Sequence, residues 1–100
     1  EEKYQERAEA QLKELKARID LLEAQADKAQ AEAKVAYSQQ LEKLYQKRQE
    51  AEKRLQRVKK AGSEAWRELT TGVDEAMTDL ENAVNGAVAT LTQPEKGQSS

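Results

Sequence analysis

The side chains of this chain that could do chemistry are carboxylates, ammonium and guanidinium groups, one Trp and three Tyr; it has no Cys and no His. That inventory excludes disulfides, thiolate or imidazole metal sites, the common nucleophile–base pairs and a switch near neutral pH. Neighbouring acids such as Glu50 with Glu52, or Asp74 with Glu75, are too close in sequence to share one face of a helix. They therefore form neither an acid–base dyad nor a metal pair. Neither a catalytic residue, a metal site nor a cofactor is expected, and the chain reads as non-enzymatic.

The strongest chemical signal is a basic block at Lys43, Lys47, Arg48, Lys53, Arg54, Arg57, Lys59 and Lys60. A free stripe of this kind attracts phosphate by releasing counterions. Its neighbours answer it, however. Residues 1–42 carry a net charge of −3, residues 43–60 a net +6 and residues 61–100 a net −5. The acidic segments are the nearest available partners, and the scattered Tyr4, Tyr37 and Tyr45 make no platform for stacking bases. Nucleic-acid binding is not favoured.

The elements that carry these charges are helices. Of 100 residues, 36% are charged and 37% hydrophobic, and the only Pro is Pro94. Tyr4, Ala8, Leu12, Leu15, Ile19, Leu22, Ala26, Ala29 and Ala33 recur at spacings of three and four. The stripe continues through Tyr37, Leu41, Leu44, Arg48, Ala51, Leu55 and Val58, which is a coiled-coil seam. No Gly or Pro interrupts it, so the pattern predicts one long helix over about 2–61. Between Ala24 and Ala36 the seam is Ala only, and little apolar area is available for burial there. This is expected to be the most weakly packed stretch.

A second pattern occupies the last third. Ala65, Ala76 and Ala87 repeat every eleven residues, as do Trp66, Met77 and Val88, and Leu69, Leu80 and Leu91. That period makes a nearly straight helix, expected over about 63–91. Its apolar packing face (Trp66, Leu69, Val73, Met77, Leu80, Val84) is wide enough for more than one neighbour. Between the patterns, Lys59-Lys60-Ala61-Gly62-Ser63-Glu64 reads as helix stop followed by helix start. With the complementary charges, this predicts an all-α helical hairpin or coiled coil reversing at Gly62. One continuous helix is the alternative, and Thr70-Thr71-Gly72 a weaker corner. Residues 1–91 form a single domain, and residues 92–100, with Pro94 and no apolar side chain, read as a flexible tail.

The stretch Gly62-Ser63-Glu64-Ala65-Trp66-Arg67-Glu68-Leu69, followed by Gly72 to Leu80, resembles a group of small bacterial coiled-coil proteins. In that group a Glu/Lys/Ala-rich helix precedes a Gly-x-x-Ala-Trp segment and then a Gly-x-x-x-Ala-Trp segment. Met77 stands here in place of the second Trp. The members are mostly uncharacterised and some are stress-related, so the resemblance implies a helical, stress-linked protein and supplies no site residues. The eleven-residue period also resembles apolipoproteins and desiccation-protective proteins, through shared helix geometry.

These readings converge on a structural or interaction protein that works by self-association or by docking a partner helix. In a hairpin, Leu12, Leu15, Ile19 and Leu22 have no partner within the chain. They form a candidate self-association seam, most simply in an antiparallel homodimer. Reversible binding of residues 63–91 to a lipid surface is the alternative. Arg67 is the only base in that segment, and interfacial helices are usually basic on the polar face. No apolar run is long enough to span a bilayer. A cytoplasmic location is expected, although residue 1 is Glu and a removed leader stays open.

Overall fold

The computed structural model describes residues 2–92, omitting the side chain of Thr92; the expected tail, from residue 93 on, lies outside the described residues. The chain is all-α. Helix α1 spans Glu2–Lys28, α2 Ala31–Lys60 and α3 Trp66–Thr92, the last entered through a 3-10 turn at Ser63–Ala65.

The reversal at Gly62 is present. Ala61 and Gly62 take extended backbone, with φ of −84° and −79°, so no left-handed glycine is needed. Lys59 and Lys60 close α2, where cations favour the carbonyl end of the helix dipole, and Glu64 and Glu68 open the next elements.

The expected helix over 2–61 is divided. It breaks at Ala29-Gln30, and α1 folds back along α2 to make a three-helix bundle. Ion pairs Lys16–Glu52 (2.6 Å) and Glu9–Lys59 fix α1 and α2 as antiparallel. Lys47–Asp79 (3.0 Å) and the bond from Arg54 to the Gly72 carbonyl (2.9 Å) do the same for α2 and α3. Tyr4 beside Asp74 and Arg18 bonded to Asn85 then place α1 and α3 parallel.

No helix-breaking residue causes this second bend, so its origin is tertiary. A straight helix would leave Leu12, Leu15, Ile19 and Leu22 in water, at about 1.5–3 kcal/mol for each. Interrupting a helix costs a few backbone hydrogen bonds, each worth about 1 kcal/mol net. Burial wins, and the bend falls where the seam holds only Ala and has least to lose.

The core runs the length of the bundle. From α1 it takes Ala8, Leu12, Leu15, Ile19 and Leu22, and from α2 Leu41, Leu44, Ala51, Leu55 and Val58. From α3 it takes Val73, Ala76, Met77, Leu80, Val84 and Ala87. Because α3 packs against both other helices, its eleven-residue pattern has use for a wide face. No polar or charged residue of the described chain is wholly buried.

Candidate interaction surfaces

The four aliphatics of the candidate seam are inside the chain's own bundle. Leu12, Leu15, Ile19 and Leu22 are 0–6% exposed, covered by α2 and α3 of the same molecule. The expectation that they lack an internal partner is therefore corrected. It follows from treating residues 2–61 as one rod, in which α3 is too short to reach α1. Of the apolar face on α3, Val73, Met77, Leu80 and Val84 are buried, while Trp66 and Leu69 pack partly buried against the core.

Trp66 closes the Gly62 end. Its ring meets Tyr4 edge-on, with centroids 5.7 Å apart and planes at 71°. The Tyr4 hydroxyl lies 2.8 Å from Asp74 Oδ1 and 3.0 Å from the Thr70 carbonyl oxygen, its single proton shared between the two acceptors. Burial, reinforced by that carboxylate, raises the Tyr4 pKa well above the usual phenol range. Nothing in sequence spacing connects residues 4 and 66; only the parallel α1–α3 pairing does so.

The basic block on α2 is shared between two acidic helices rather than facing one. Lys59 pairs with Glu9 of α1 and Lys47 with Asp79 of α3. Arg54 bonds Glu50 through Nε at 2.7 Å, and its Nη1 donates to the Gly72 carbonyl at 2.9 Å and lies 3.9 Å from Glu75. Glu50 has its pKa lowered by that guanidinium. Arg48 lies over the Tyr45 ring, 5.0 Å from its centroid. Tyr45 in turn donates to Glu23 of α1, and the bond, followed by burial, pushes its pKa up to about 12. Such exposed pairs contribute about 0–1 kcal/mol each, so they set helix order and register more than stability.

The described residues hold no cluster of acids able to bind a metal, and no helix is long and apolar enough to cross a membrane. The recesses are open grooves between helices. One of about 450 Å³ is lined mainly by charged side chains, Lys47, Glu50, Arg54, Glu75 and Asp79, with Gln46 and Ala76. Another, of about 560 Å³, lies at the α1–α2 corner among Ala26, Asp27, Lys34, Ser38, Leu41 and Tyr45.

That corner is loosely packed. Gln30 caps α2 without a side-chain hydrogen bond. Residues 31 to 36 are all exposed, on every side of the helix. Leu21 and Val35, each 60% exposed, are the large apolar side chains left to solvent among the described residues, and both lie within about two turns of the corner. The Ala-only composition anticipates the weak packing, but not the bend.

No family model, curated protein or solved structure matches this chain.

Proposed function

We propose that the protein is a non-enzymatic interaction module that works through helix–helix association, with itself or with a partner helix. The observation that supports this best is that Leu21 and Val35, the large apolar side chains left exposed among the described residues, both lie near the α1–α2 corner, while no polar or charged residue of the described chain is wholly buried. Catalysis generally needs polar groups held in a partly buried cleft, whereas the grooves here are open, and the most charged one is flanked by Lys47, Asp79, Arg54 and Glu50 paired with each other. A link to stress, implied by the resemblance of residues 62–80, belongs to the same proposal.

Lipid binding through residues 63–91 has less support. Val73, Leu80 and Val84 would have to leave the core before they could meet a bilayer. The same pairing argues against nucleic acid, because Lys47, Arg54 and Lys59 of the basic block already face carboxylates.

The test is photo-crosslinking in the native cells from benzoylphenylalanine placed at Val35, with Ser63 at the opposite end as control. A discrete adduct from position 35, to another copy or another chain, and little from position 63, is expected. No adduct from position 35, or equal yields from both positions, would contradict the proposal.

A further inference from the structure

The pairing of α1 with α2 is centred away from the bend that joins them. Glu9 with Lys59, Lys16 with Glu52, and Glu23 with Tyr45 each straddle residue 34 symmetrically. The bend is about four residues earlier, at Ala29-Gln30, so the first turns of α2 run past the end of their pairing and stay wet. A register centred on residue 34 is the one that two straight helices would have, crossing antiparallel about a two-fold axis there.

We infer that α1 exchanges between two copies of this chain. The bend straightens, residues 2–60 become one helix, and α1 of each copy takes the place of the other's α1 against α2 and α3. Glu9 of one copy then meets Lys59 of the other, and Tyr4 of one meets Trp66 of the other. Each contact that α1 makes with the other helices in the closed bundle is remade between copies, because the register is already symmetric. This rests on the helix-association reading above and narrows the partner to a second copy of the same sequence.

Two features of the closed bend favour exchange. The segment Ala26-Asp27-Lys28-Ala29-Gln30-Ala31-Glu32-Ala33 contains mostly strong helix formers and no Gly or Pro, so nothing local holds the bend. Straightening joins two helix ends whose terminal N–H and C=O groups otherwise need solvent or caps, and Gln30 supplies no side-chain cap. Where the two long helices cross near residue 34, Ala31, Ala33 and Ala36 offer small side chains that permit close approach.

The exchanged dimer is a rod. A helix over residues 2–60 is about 89 Å long at 1.5 Å per residue, against 56 Å for the closed bundle.

The experiment compares the parent protein with Gln30→Pro. Gln30 has φ −72° and ψ 161°, within the range that the proline ring allows. Inside a straight helix the same Pro removes a donor and clashes with the preceding turn, and about a hundredfold or greater loss of dimer is expected. Both proteins are unfolded in denaturant, refolded at about micromolar and about millimolar concentration, and followed by gel filtration with light scattering and by small-angle X-ray scattering. A parent dimer near 90 Å long, formed at high concentration and lost in Gln30→Pro, is the predicted result. Two glycines inserted between Ala29 and Gln30 serve as a second variant should the proline variant not fold, with the same loss expected. A parent dimer that forms equally well in both variants would overturn exchange and leave the association reading standing. A parent that stays monomeric after refolding at every concentration would also overturn exchange, and the crosslinking result would then decide the broader reading alone.

Discussion

Ile19→Ala is the sharpest test of where α1 belongs. Ile19 is fully buried, in the middle of the α1 contribution to the core. The substitution removes three carbons and leaves a cavity that a rigid bundle closes only in part, at a cost of about 2–5 kcal/mol. Roughly 90 ordered residues at about 0.05–0.15 kcal/mol each give a total stability of about 5–14 kcal/mol, so this is a large fraction. A loss near 3 kcal/mol lowers the melting temperature by about 12–24 °C at this size. The assay is thermal unfolding followed by far-ultraviolet circular dichroism at micromolar concentration, on protein verified as monomer. Leu21→Ala is the internal control, because Leu21 sits on the same helix and is 60% exposed; its effect should stay within about 0.5 kcal/mol. A drop under about 4 °C for Ile19→Ala, or equal drops for both variants, would refute the packing of α1 within its own chain.

Gly86 lies inside α3 with open space where an alanine methyl would stand, so Gly86→Ala should stabilise the bundle by about 0.5–1 kcal/mol in urea unfolding; destabilisation would mean that face is not open. Arg54→Met keeps most of the packing stem but removes the donors to Glu50 and Gly72, and should cost about 1–2 kcal/mol, while a neutral result would show those bonds are solvent-equivalent. Tyr45 ionises at about 12 when folded against an ordinary value of 10.0, because its bond to Glu23 holds the proton. Its contribution is therefore complete below pH 10 and lost as pH rises towards 12, so the stability gap between parent and Tyr45→Phe should close across that window. A gap that is constant from about pH 9 to about pH 12 would remove Glu23 as the cause.

Much of this architecture is legible in the residues, and the illegible part has a single source. The Gly62 reversal is signalled by Lys59 and Lys60 before it, Ser63 and Glu64 after it, and charge blocks of opposite sign on either side. The wide face of α3 implies two neighbours, and it has two. The bend at Ala29-Gln30 has no such signal in residue type, because its residues all favour helix; the seam only slips there, from alternating threes and fours to consecutive fours between Ala29 and Leu41. Only the balance between wetting Leu12, Leu15, Ile19 and Leu22 and breaking a few hydrogen bonds places a corner there, and that balance depends on what α3 leaves uncovered. Without the bend, four core residues look like an interface. The Tyr4–Trp66 contact and the attachment of Lys59 to α1 are hidden for the same reason.

The central claim is that α1 folds back on its own α2 in the monomer, and one distance tests it. Lys13 and Gln56 line the same groove between these helices, and the chain has no native Cys, so spin labels at Lys13→Cys and Gln56→Cys report on it cleanly. At micromolar concentration, diluted with unlabelled protein and verified as monomer, the bundle requires a separation of about 10–20 Å, from interaxial distances of 8–10 Å plus the labels. A straight helix separates the same positions by about 65 Å at 1.5 Å per residue. A monomer dominated by the longer distance would contradict the bundle.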